Sequence, residues 1–220
     1  MERVEIDVAP ARRGRPPRSA AALQKERARI LHAAEKLFAK HCYEGVSMRN
    51  VAAAAGCSPA ALYTLFPNKR AILGTIAEDA FAELDKALVR ATRSEKEPVA
   101  RLKKLGIGYV AFWRANPDHF RALFLFEDRV TAPGEGYFVD TLENLPRMVG
   151  QFVLALEEAV RAKQLAGNPN EMVELIFCAL HGVASGIIAM PEYKWHDPDK
   201  MAERMMETVL RGFARRFASP

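Results

Sequence analysis

The sequence predicts an all-α chain, and three features carry that expectation. Apolar residues recur at three- and four-residue spacing through most of the 220 positions, the period of a helix face. No stretch alternates apolar and polar residues convincingly, and there is no internal repeat. Gly, Pro, Asn and Ser fall between the periodic segments at helix-length intervals, where caps and breaks belong. About nine helices are expected.

Residues 1–19 carry charge and proline without periodicity and read as a disordered arm. The first helix follows, with Leu23, Ile30, Leu31, Ala34, Leu37, Phe38 and His41 on one stripe. It is expected to end near "HCYEG", where Gly45 is a good stop. Ser47 can cap a short helix that Gly56 ends. Ser58 can cap the next, with Pro59 at its first position, where a missing N–H costs nothing. After Pro67, Asn68 can cap a long helix from Lys69, with Ile72, Ile76, Ala80, Leu84 and Leu88 as a four-residue stripe. Further helices are expected near 98–115, 118–127, 137–164, 170–190 and 198–217. The breaks fall at Asn116-Pro117, Thr131 to Gly136, Ala166 to Pro169 and "MPEYKWHDPD". Pro146 is expected to kink or split the 137–164 segment.

Composition narrows the function classes. The net charge is +5, but residues 1–74 net +7 and the remainder nets −2. A basic end beside a near-neutral body suggests a nucleic-acid-binding part joined to something else. Cys42, Cys57 and Cys178 are too few and too scattered for a disulfide framework, and none pairs as Cys-x-x-Cys, so no metal site is expected. A reduced, cytoplasmic protein is the simplest reading. No uninterrupted apolar run reaches the ~18 residues of a membrane span, no membrane partner is expected, and the N-terminus does not read as a secretory signal.

Residues 47–69 describe two short helices joined by a tight glycine turn. Val51, Ala55, Leu62 and Phe66 make an inward face, and the alanines allow close approach. Pro59, Ala60, Ala61, Tyr63, Thr64 and Leu65 remain for the outer face, where a second helix of this kind would enter a major groove. Ser47, Tyr63 and Lys69 stand near helix ends, where phosphates would lie. Spacing and caps alone serve an ordinary helical hairpin equally well.

The stretch "GVSMRNVAAAAGCSPAALYTLFPNKRAIL" resembles the DNA-binding domain of the TetR family of transcriptional regulators. Gly45, Ser47, Val51-Ala52, Gly56, Leu62-Tyr63, Phe66, Asn68-Lys69 and Leu73 carry the match, and the preceding "AAEKLFAKHCYEG" is also similar. The resemblance implies that Arg49 reaches a base or the backbone. It implies that Pro59, Ala60, Ala61 and Thr64 face the major groove, and that Ser47, Tyr63 and Lys69 hold phosphates. Met48 stands where many members have a second hydroxyl. The recognition helix is poor in hydrogen-bonding groups, so methyl contacts from Ala60, Ala61 and Thr64 to thymine are its expected readout.

The arm contains "RRGRPPR", whose Arg12, Arg13 and Arg15 resemble the core of an AT-hook, an extended chain with arginines in a narrow minor groove. A solvated tail is the alternative.

The segment Tyr109 to Arg129 is rich in aromatic residues, including Phe112 and Phe126. It resembles a subset of the family with an "F…NP…F…LF" run and a later His-Gly pair, here His181-Gly182. Trp113, Phe120, Phe124, Phe177 and His181 are the candidate lining of an effector pocket. The same rings also serve as plain core, and His181 as a hydrogen-bonded core histidine. Ala179, Gly182 and Gly186 recur as small residues on one helix, and Met205 and Val209 lie on the last. These five are the expected dimer surface, since the family's last two helices pair with their mates. Packing within the chain is the alternative.

The resulting expectation divides the chain into an arm (1–19), a three-helix DNA-binding domain (20–68), a linking helix (69–93) and a sensor and dimerisation domain (94–220). The function is a ligand-responsive regulator without a cofactor, most simply a homodimeric repressor released from a palindromic operator by a small-molecule effector. An architectural A·T-rich DNA binder is the second class. An enzyme is the third, and little supports it: no His-x-x-x-His pair, Gly-x-Ser-x-Gly or phosphate loop occurs.

Overall fold

A computed structural model of the chain describes residues 19–125 and 142–214. The arginines of the arm (Arg12, Arg13, Arg15), Phe126 and the Thr131–Gly136 break lie outside the described residues. Nine α-helices and no strand occur among those described. They are α1 (Ala20–His41), α2 (Met48–Ala54), α3 (Pro59–Leu65), α4 (Lys69–Thr92), α5 (Pro98–Ala115), α6 (Pro117–Phe124), α7 (Asn144–Arg161), α8 (Pro169–Ala189) and α9 (Met201–Gly212).

Local chemistry sets most boundaries. Ser19, Ser47, Ser58 and Asn68 each accept a hydrogen bond from a backbone N–H of the helix they precede, satisfying one of the donors a helix start leaves free. Asn50 completes a capping box with Ser47. Gly56 takes φ +61° between α2 and α3, a backbone that L side chains disfavour.

Two details of the expected breaks, and one of the α1 stripe, need correction. Helix α1 ends at His41, within the expected "HCYEG", but Cys42 rather than Gly45 follows it with a positive φ of 58°. Gly45 is needed for another reason: a Cβ there would sit 2.5 Å from the His41 carbonyl oxygen. Pro146 neither kinks nor splits a helix. It lies in the first turn of α7, where a missing N–H removes no intrahelical bond. On the α1 stripe, Ile30, Ala34 and Phe38 are buried, whereas Leu23 and His41 at its ends are exposed.

Helix α4 joins two bodies. Its Ile72, Ile76, Ala80, Leu84 and Leu88 are all buried. It packs on α1 at one end and on α5, α6 and α7 along its length. Helix α6 packs on α1 as well as α4, α5 and α8, so the first three helices meet the rest through both α4 and α6. Helix α8 is long and apolar enough to cross a membrane by length and composition, although no uninterrupted apolar run suggested it. It packs against α5, α7 and α9, with Met172, Ile176, Leu180 and Ala184 in the core.

Candidate functional site

The first candidate site is the outer surface of α2 and α3. Val51, Ala55, Leu62 and Phe66 are buried as an inward face. Arg27 from α1 lies over the Phe66 ring at 4.6 Å and donates to Thr75 Oγ1 on α4 at 3.2 Å. One cation therefore braces α3 against α1 and α4. With the inner face fixed, Pro59, Ala60, Tyr63 and Thr64 are exposed on α3, Ala61 is half-buried, and Arg49 is exposed on α2.

The polar groups on this surface are not equally free. Thr64 Oγ1 donates to the Ala60 carbonyl at 2.9 Å, so the hydroxyl is occupied on its own helix. Ser47 uses its hydroxyl in the capping box, 2.5 Å from Asn50 Oδ1. Lys69 Nζ turns back to the Tyr43 carbonyl at 2.5 Å and stands 4.0 Å over the Tyr43 ring. Partial burial lowers the Lys69 pKa from the ordinary lysine value, with nearby Glu44 opposing. Tyr63 is 53% exposed.

The second candidate site is a cavity of about 600 Å³ among α4, α5, α6, α7 and α8. Phe81 of α4, Tyr109 of α5 and Phe124 of α6 form one side; Leu145, Met148 and Val149 of α7 form another; Phe177, Cys178, His181, Gly182 and Ser185 of α8 complete it. Its size suits a single small ligand. Three of the five expected residues line it: Phe124, Phe177 and His181. Trp113 and Phe120 do not. They are fully buried behind the lining, with Trp113 edge-on to Phe124 at 5.3 Å and Phe120 tilted against His181 at 5.0 Å. Sequence reasoning missed Phe81, Tyr109 and the α7 residues. Nothing in their local pattern separates a cavity wall from core.

Tyr109 Oη lies 3.3 Å from His181 Nδ1, so His181 is both a hydrogen-bonded core histidine and a cavity residue. Burial lowers the His181 pKa and favours the neutral ring; burial raises that of the Tyr109 phenol and keeps it protonated. The Trp113 indole N–H is buried beside the Tyr109 hydroxyl but outside full hydrogen-bonding geometry.

The cavity wall is tied to the first three helices. His119 Nδ1 on α6 stands 3.2 Å from Glu35 Oε1 on α1. Arg121 of the same helix donates to the Ile188 carbonyl of α8 at 3.2 Å.

The surface of α8 and α9 treats its small residues differently. Gly182 is exposed and a Cβ there would meet nothing within 4 Å. Gly186 is used inside the chain: a Cβ there would come 3.1 Å from the Trp195 ring. Ala179, Met205 and Val209 are half-buried, and neighbouring Leu175 is 57% exposed.

A helix-turn-helix unit followed by a larger helical body with an apolar cavity defines a class of two-domain, DNA-binding regulator. Residues 30–76 match the bacterial regulatory proteins of the tetR family, and residues 102–209 match the tetracyclin repressor-like C-terminal domain. The chain belongs to the TetR family of transcriptional regulators, and as such is a ligand-responsive DNA-binding regulator. No curated protein matches it. Among solved structures, a protein of unknown function from Rhodococcus sp. RHA1 is 28% identical, with TM-score 0.68, over 86% of this chain and 96% of that one. The TetR family regulator PfmR from Thermus thermophilus is 24% identical, with TM-score 0.66, over 86% and 97%. The regulator FadR from Bacillus subtilis, solved with stearoyl-CoA, is 14% identical, with TM-score 0.72, over 84% and 98%. The last two share the fold.

Proposed function

We propose that this protein is a cytoplasmic, homodimeric repressor, released from a palindromic operator when a small molecule fills the cavity among α4–α8, and that it has no catalytic role. One observation carries this reading. The cavity is walled by Phe81 of α4 and Phe124 of α6, and these two helices connect its body to the first three helices. A molecule that fills the cavity therefore touches both connections at once.

The proposed DNA face comprises Arg49, Pro59, Ala60, Ala61, Tyr63 and Thr64. Ser47 and Lys69 contribute chiefly through the backbone of the helix starts they occupy, because their side chains are engaged within the protein. The two-fold axis runs by α8 and α9, so that two copies of α3 reach successive major grooves about 34–36 Å apart. The effector acts only through different affinity for the two states, and operator DNA weakens effector binding by the same factor.

Footprinting on the DNA flanking the gene tests this reading. A discrete palindrome is expected, with protection lost once an effector is added. Uniform protection of A·T-rich DNA replaces it with an architectural role.

A further inference from the structure

The chemistry of the cavity narrows what it can hold, granted that it is the effector site proposed above. No Lys, Arg, Asp or Glu lines it among the described residues. Its walls are mostly aromatic or aliphatic, and the polar side chains are Tyr109 on α5 and Cys178, His181 and Ser185 on α8. A carboxylate or phosphate placed there would lose its water without gaining a cation from the described lining, which is costly for any charged group.

The remaining polar groups have a defined sense. The Tyr109 hydroxyl stands 3.3 Å from His181 Nδ1; a phenol is a stronger acid than a neutral imidazole N–H and an imidazole nitrogen a stronger base than a phenol oxygen, so the hydroxyl donates and Nδ1 accepts. With Nδ1 accepting, a neutral His181 carries its proton on Nε2. No protein group among the described residues bonds Nε2. Ser185 lies one helical turn further along the same cavity-facing side of α8, within about 5–6 Å by helix geometry. The wall therefore offers one N–H and one hydroxyl, both uncharged, to whatever occupies the space.

We propose that the cavity takes an uncharged, predominantly apolar molecule with a carbonyl-type acceptor, held by His181 Nε2–H and Ser185 Oγ. Tyr109 acts behind His181 as a positioning residue, fixing the tautomer that donates. The site discriminates against the corresponding acid, which is ionised at neutral pH.

The test uses the full-length protein and N-phenyl-1-naphthylamine, a neutral apolar fluorophore, displaced by decan-2-one or by decanoate at pH 8. The ketone is expected to displace the dye at a concentration about ten-fold lower than decanoate, a factor equivalent to about 1.4 kcal/mol. His181→Phe, or Ser185→Ala if that variant fails to fold, lowers ketone affinity several-fold and leaves dye binding intact. Val149→Trp, which fills the cavity, abolishes binding of both. Decanoate binding as well as the ketone, or dye binding without displacement by either, overturns the ligand class and leaves the cavity as a site. Dye binding unchanged in Val149→Trp, or no dye binding at all, overturns the cavity reading itself.

Discussion

Glu78 of α4 caps a helix that begins 66 residues later. Its carboxylate accepts from the backbone N–H of Asn144 at 3.0 Å and of Glu143 at 3.1 Å, and from the Asn144 side-chain amide. The α7 start has no side-chain cap of its own. The clamp therefore satisfies free donors at that helix end, places a negative charge where the helix dipole favours one, and fixes the α7 turn that carries Leu145 of the cavity to the helix that leads to the DNA face. One turn earlier on α4, Thr75 receives the Arg27 guanidinium that also lies over Phe66. A continuous set of contacts thus runs from the cavity wall to the C-cap of α3.

Glu78→Ala should weaken this coupling. Operator affinity in the absence of effector is expected to stay within about three-fold, while effector-driven release becomes weaker. A stability loss of about 1 kcal/mol is expected from the unpaired donors. Anisotropy titrations with labelled operator, with and without effector, check it. Unchanged release would remove Glu78 from the coupling route.

Thr64 is exposed and its hydroxyl is bonded to the Ala60 carbonyl, which leaves its methyl as the group free to contact a base. Thr64→Val should therefore keep operator affinity within about three-fold, whereas Thr64→Ala loses the methyl contact. Arg49→Ala should weaken binding and reduce the slope of log affinity against log salt by about one if the contact is to phosphate. Band shifts over a salt series measure both.

Gly56 holds φ +61° with open space around its α-carbon. Gly56→Ala should then cost about 1–2 kcal/mol through backbone strain alone, without a steric clash. Thermal unfolding would detect this as a lower melting temperature. No loss would mean that the turn relaxes to another conformation.

Gly182→Arg introduces a long cation at an open position on α8. Sedimentation should show monomers, and operator binding should fall because the paired α3 helices are lost. A stable dimer with normal affinity moves the interface elsewhere. Gly186→Ala behaves differently, perturbing the Trp195 packing within one chain.

Deleting residues 1–18 removes five arginines. If the arm lies in a minor groove, operator affinity drops and the salt dependence flattens. Equal affinity and equal slope would leave the arm a solvated tail.

What the sequence determined by itself is the part of the structure decided within a few residues. The caps at Ser47, Ser58 and Asn68, the turn at Gly56 and the inward set of Val51, Ala55, Leu62 and Phe66 follow from hydrogen-bonding reach and helical period, both local quantities. Helix α5 spans Pro98–Ala115, the limits its flanking breaks predict. Tertiary structure decided which apolar residues enclose space and which polar groups are already engaged. Trp113 and Phe120 share the aromatic pattern of Phe124, yet only Phe124 reaches the cavity, because that depends on how α4, α5, α6, α7 and α8 meet. Lys69 stands at a helix start, as a phosphate ligand would, but Tyr43, 26 residues earlier, captures its ammonium. Glu78 carries no local sign of its role, since the helix end it caps is brought to it only by packing.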